Sequence, residues 1–113
     1  MTTINRAQLV NLALDELNVT AVGQTPAIED YEQVDGMVDG LLARLASEQV
    51  VSIQDDDAIP EAISEPLAEL LAERCNRAFG KPRDAALRLE MEMRIKKMVA
   101  SMPTYEPLTA THY

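Results

Sequence analysis

Asp55, Asp56 and Asp57 are the densest run of chemically capable side chains in this sequence. Adjacent carboxylates can hold a hard divalent cation. This run lacks the alternating oxygen ligands, the central glycine and the closing glutamate of a calcium loop, so the expectation is a solvated, self-repelling turn and no metal site. The single cysteine, Cys75, falls on the apolar arc of a helical segment and reads as a small buried hydrophobe. His112, the one histidine, lies near the C-terminus beyond the last periodic segment, which argues against a Ser–His or Cys–His pair on the folded domain. No phosphate-cradling glycine loop, CxxC pair or HExxH pattern occurs. Acids are numerous enough for the carboxylate pair of glycoside cleavage. A sugar groove is normally lined by aromatics, however, and the chain has one Phe and three Tyr. We therefore assign no catalytic, cofactor-binding or metal-ligating residue, and the expectation is a protein that is not an enzyme.

The charge is unevenly placed. The net charge is −9. Between residues 27 and 69 there are twelve acids and one base, Arg44; between residues 70 and 100 there are four acids and eight bases. Solubility on two faces explains this, and so does association of copies, basic surface on acidic surface, a geometry that closes into rings. Tight duplex binding is disfavoured, because phosphate neutralisation needs clustered Lys and Arg in a basic domain. One cysteine allows no internal disulfide and suits a reducing compartment. The start of the chain has no basic-then-apolar leader, and no apolar run approaches the ~20 residues that span a bilayer, so a soluble protein used without export is expected.

Four helices would position these residues. Ile4 to Leu17 carries Ile4, Val10, Ala13, Leu14 and Leu17 at helical spacing, with Thr2 or Thr3 as N-cap, Leu9 and Leu12 widening the apolar face, and Asn18 as a left-handed stop. A connector with Gly23 and Pro26 follows. The second helix, 28–48, has a narrow seam of Tyr31, Val34, Val38, Leu41 and Leu45, beside a small-residue stripe of Gly36, Gly40, Ala43 and Ser47. Two interior glycines cost about 1 kcal/mol each relative to alanine. Close approach of another helix is one reason to keep them and a bend is the other. Asp30, Asp35 and Asp39 fall on the exposed side. Val50 to Ile53 reads as a short extended segment leading into the aspartate turn.

The third helix is the expected centre. From Leu67 to Phe79 apolar residues cover more than half the circumference, leaving Glu69, Glu73, Asn76 and Arg77 as the polar strip, so it should be buried on two sides. Ser64 can cap it with Pro66 in the first turn, or Ile59-Pro60-Glu61 can open a preliminary turn. Gly80 and Pro82 end it. The fourth helix, 84–102, sets Leu87, Met91, Ile95, Met98 and Met102 on one face and Arg88, Arg94, Lys96 and Lys97 on the other. Pro103 stops it. The resulting fold is all-α: a four-helix antiparallel bundle, residues 1–102, with a short extended segment between helices 2 and 3 and an extended C-terminal tail, 103–113. Tyr105, Leu108 and Tyr113 give that tail docking anchors.

The order of these elements resembles that of the small helical adaptors of phage head–tail junctions, known as head-completion, connector or packaged-DNA stabilisation proteins. The carrying features are the opening helix Arg6 to Val19, a Gly/Pro linker, the acidic helix 28–48, the Ile59-Pro60-Glu61 turn, the Leu/Ala helix ending in Phe79-Gly80, and the basic last helix. Many such adaptors have glycine where Asn18 stands. The resemblance implies a structural role in the virion, assembled in the host cytoplasm. Twelve copies would form a ring under the portal, extend the channel for double-stranded DNA, help retain packaged DNA and receive a downstream tail or nozzle protein. Cofactors, membrane and sequence-specific DNA contacts are not implied. On this expectation Tyr105, Leu108 and Tyr113 dock on the portal or a neighbour. Arg88, Arg94, Lys96 and Lys97 are subunit-contact bases. Asp35, Asp39, Asp55, Asp56 and Asp57 face the channel or a neighbouring copy, where an acidic wall would let DNA slide. Two alternatives are a small acidic binding module of the DNA-mimic type, which would stay monomeric or dimeric, and a connector with accessory cell-wall hydrolase activity, which a single Glu or Asp substitution would abolish.

Overall fold

The computed structural model describes residues 2–18 and 24–101. Its helices are α1 (Arg6–Leu17), α2 (Ile28–Asp35), α3 (Val38–Ser47), α4 (Ser64–Cys75) and α5 (Ala85–Ala100), and two short strands, β1 (Thr3–Ile4) and β2 (Ile59–Pro60), pair antiparallel. The fold is mostly helical, as expected of an all-α chain. Residues 102–113, with Met102 of the expected last helix and the tail residues Tyr105, Leu108 and Tyr113, lie outside the described residues.

α1 begins two residues later than its periodicity predicts. Thr3 and Ile4 are not helical: Ile4 faces Ile59 and Thr3 faces Pro60 across the two-strand ladder. β-branched residues suit that extended pairing. The cap is Asn5, whose side chain accepts the Gln8 N–H at 2.8 Å while the Gln8 side chain accepts the Asn5 N–H at 2.8 Å. This reciprocal capping box satisfies two of the orphan donors of the first turn. Asn18 ends the helix at φ 59°, the left-handed position foreseen for it.

The single helix expected over 28–48 is interrupted. Gly36 and Met37 lie between α2 and α3, and the Met37 N–H bonds back to Val34 at 3.0 Å, one residue short of α-helical spacing. The tightened turn uses a poor helix former where the ladder lapses. The apolar seam runs across the break undisturbed: Val34, Val38, Leu41 and Leu45 are buried and Tyr31 is half-buried. Of the two explanations for the glycines, close approach of another helix does not describe Gly36, which lies at the interruption and where an added Cβ would meet only the Glu32 and Gln33 carbonyls of α2. No helix backbone crowds Gly40. It is exposed, and an added Cβ would meet the Arg74 guanidinium at 2.9 Å, the movable end of a long side chain. Gly40→Ala should therefore gain helix propensity while Arg74 swings aside. We expect the urea midpoint to rise by up to about 1 kcal/mol equivalent; a fall of that size would show that Arg74 is fixed.

α4 is the centre of the core. Leu67, Leu71 and Cys75 are fully enclosed, and Leu70, Ala68 and Ala72 nearly so. α1 and α5 pack on it most extensively, and α2 and α3 add smaller contacts. Its entry is a preliminary turn, a 3-10 segment at Glu61–Ile63, rather than a Ser64 cap. Its exit is a second 3-10 segment, Asn76–Phe79, closed by Gly80 at φ 75° and by the Lys81 N–H bonding to the Asn76 carbonyl at 2.8 Å. The apolar arc is shorter than predicted, since Ala78 is exposed, and the predicted polar strip is wrong at Glu73, which is buried. Val50 and Val51 are buried but irregular, so the paired extended segment lies at Ile59–Pro60 instead. α5 starts on an Asp84 cap that accepts the Leu87 N–H at 3.0 Å, and Met91 and Ile95 seat it on the core.

Candidate functional site

The acidic middle of the chain converges on one base. Arg6, in the first turn of α1, reaches Asp35 at 2.7 Å, Asp39 at 2.7 Å and Asp56 at 2.8 Å, and donates to the Asp35 carbonyl at 2.9 Å. Its backbone N–H also lies 3.4 Å from the Asp57 carboxylate. A planar guanidinium with five donors can serve several partners at once, which an ammonium cannot do as well. One side chain thus joins the start of α1, the end of α2, the start of α3 and the aspartate loop. Hydrogen bonds to Asp35, Asp56 and Asp39, in that order, raise the Arg6 pKa further above its ordinary value.

The aspartate run forms the expected acidic turn. The Asp57 N–H donates to the Asp55 side chain at 2.9 Å, and the carboxylate oxygens of Asp55, Asp56 and Asp57 fall within 4.8 Å of one another. That spacing could hold a cation. Arg6 already pairs with Asp56 at 2.8 Å, so one carboxylate of the three is engaged within the chain, and we assign no ion to the run.

Further polar contacts fasten α5, or the turn before it, to the rest. Glu73 of α4 is buried, and Arg83 grips it at 2.7 and 3.1 Å while the Asp84 N–H donates to it at 2.9 Å. Burial pushes the Glu73 carboxyl up, but the Arg83 pair and the Asp84 N–H outweigh that and hold it below its ordinary value. Arg44 of α3 lies 2.8 Å from Glu92 of α5, poorly aligned for a hydrogen bond, and also contacts Glu48 at 3.2 Å. The Lys81 ammonium donates to the Leu17 carbonyl at the C-terminus of α1, where a cation is favoured.

A depressed carboxyl stabilises the fold above its unfolded pKa, about 4.3 for glutamate, and that contribution is lost as pH falls through the folded value. The wild-type chain should lose stability below about pH 4. Glu73→Gln should start from lower stability at pH 7 and show a flatter acid limb in urea titrations between pH 6 and pH 3. Parallel limbs would place the acid-sensitive group elsewhere.

Glu73 also borders a shallow cleft with Glu16, Glu69, Ala72, Asn76 and Leu87, about 90 Å³ in volume. Burial, then the charges of Glu16 and Glu65, raise the Glu69 pKa. Ligand pockets commonly measure roughly 300–1,000 Å³, so this cleft is too small to enclose a sugar. Cys75 is buried and its thiol is pushed up to about 11 by burial, which leaves it protonated and unreactive at neutral pH.

The predicted contact residues now divide. Asp35, Asp39 and Asp56 are tied to Arg6, whereas Asp55 and Asp57 are exposed. Among the bases, Arg94 pairs with Glu65 at 3.0 Å, and the Arg88 Nε is enclosed without a hydrogen-bond partner among the described residues. Lys96 and Lys97 are exposed and enter no ion pair among the described residues. Sequence patterning marks neither Arg6 nor Glu73 as a site residue. A signal for Arg6 existed, because it is the only base before Arg44 in an otherwise acidic half. No helix among the described residues is long and apolar enough to cross a membrane. No protein-family model, characterised protein or solved structure matches the chain, so its own residues must indicate its function.

Proposed function

We propose that this protein is a structural adaptor whose copies assemble side by side, as in the ring beneath the portal at a phage head–tail junction. The observation that carries the reading is the disposition of charge. Arg6 gathers Asp35 of α2, Asp39 of α3 and Asp56 of the following loop within an acidic surface, whereas the last two turns of α5 hold Lys96 and Lys97 and no acid after Glu92. Opposite signs on separate elements of one small domain favour contact between copies. The order of helices, which resembles that of the adaptors, supports the same reading. On this view α2 and α3 act as one broken arm of a four-helix antiparallel bundle. The acidic surface passes double-stranded DNA without holding it. The residues after Met102 reach the portal or a neighbour, and a downstream tail protein binds the far side.

Electron microscopy of the purified full chain, alone and mixed with portal rings from the same genome, tests this. The expected result is an annulus stacked coaxially on the portal. A protein that remains monomeric at high concentration and ignores the portal would overturn the adaptor reading.

A further inference from the structure

α5 is amphipathic in an unusual sense: both of its faces carry apolar side chains. Met91 and Ile95 turn inward, while Leu89 and Met93 are 57% and 69% exposed. At 100° per residue, Leu89, Met93, Lys96 and Lys97 fall within about one-third of the circumference, opposite the core face. α2 presents a smaller patch of the opposite charge. Ile28 is 62% exposed, and Glu29 and Glu32 stand exposed on the same side. Glu29 and Glu32, like the two lysines, make no ion pair among the described residues. Both helices lean on α4, and no extensive packing joins one to the other.

We infer that the outer face of α5 in one copy seats on the outer face of α2 in the next, Leu89 and Met93 against Ile28, with Lys96 and Lys97 facing Glu29 and Glu32. The inference rests on the adaptor reading and names the surface through which copies join. The partner is a second copy of this chain because the two patches match in kind: an apolar centre with a charged border, opposite in sign. The two surfaces differ, so the contact is heterologous. A joined pair keeps one unused patch of each kind, one on each copy, and the contact propagates until it closes. One pair of helix faces is small beside a standard interface of about 800 Å² per partner. Single contacts are therefore weak and salt-sensitive, and closure supplies the persistence.

A two-sided charge reversal tests this with the full chain. One variant carries Lys96→Glu and Lys97→Glu, the other Glu29→Lys and Glu32→Lys. All four positions are exposed, and circular dichroism should report unchanged helix content. Sedimentation at graded concentration should show each variant alone associating at least about tenfold more weakly than wild type, as expected for about 1.4 kcal/mol. An equimolar mixture restores both halves of every contact and should recover wild-type association as an alternating assembly. Raising salt should weaken both the wild type and the mixture. If wild type assembles while either variant assembles equally well, or the mixture fails to recover, the α5–α2 contact is wrong and the adaptor reading stands on another surface. If wild type assembles neither alone nor on a portal ring, both are wrong.

Discussion

Leu71→Ala lowers the unfolding free energy by about 2–5 kcal/mol, the range for emptying a fully enclosed leucine site. Leu71 has no exposed surface and belongs to the helix on which α1, α2, α3 and α5 converge. Four elements held in place by one another cannot all move inward, so most of the vacated space persists and its lining loses dispersion contacts. Native domains hold about 5–15 kcal/mol in all, so this one substitution removes a large share. The measurement is a urea titration, in which the midpoint falls while the slope stays constant. Leu89→Ala is the matched control. With more than half its surface exposed, it should change stability by less than about 0.5 kcal/mol. A Leu71 loss below about 1 kcal/mol would show that α4 is not the centre of the core.

Arg6→Ala is expected to cost about 1–3 kcal/mol, the range for hydrogen bonds that involve charged groups. The low end is set by solvent screening, since the Asp39 side chain is 81% exposed and those of Asp35 and Asp56 more than a third. What remains after truncation is the larger part of the effect. Asp35, Asp39 and Asp56 would face one another with no counter-charge, and the Asp35 carbonyl would lose its donor at the end of α2. Salt separates this from loss of packing. At 1 M ionic strength the Debye length shrinks to about 3 Å, and the gap between variant and wild type should narrow as the aspartates are screened. Arg6→Lys keeps the charge without the fork and should recover only part of the loss. A gap that ignores salt would assign the cost to the aliphatic stem of Arg6.

How much of this could be read in the sequence depends on the range of each interaction. The core of α4 was legible because Leu67, Leu70, Leu71 and Cys75 repeat within a single helix. Asn18 and Gly80 were legible because only a few residue types take up the left-handed stop. The break after Asp35 was hidden for a definite reason: the seam from Val34 to Val38 keeps helical spacing through Gly36 and Met37, so periodicity reads straight across. β1 was missed because two residues are too few to show a period of two, and Ile4 fits either pattern. Arg6 was missed because its aspartates lie 29 to 50 residues away, beyond any local motif. Glu73 was read as solvent-facing because a helical wheel cannot foresee Arg83 folding back over it from beyond Gly80. The charged surfaces can be anticipated as a difference between two halves of the chain, but which aspartates share the Arg6 guanidinium cannot.

The break between α2 and α3 also bears on the geometry of any assembly. α3 is joined to α5 through Arg44 and Glu92, while α2 carries Ile28, Glu29 and Glu32 on the far side of Gly36. If α2 is the seat for the next copy, the tilt of α2 relative to α3 becomes the angular step from one subunit to the next. Arg6 spans the break, holding Asp35 on one side and Asp39 on the other. A single guanidinium would then act as a set-screw on curvature: loosening it leaves each subunit folded but alters how many complete the circle.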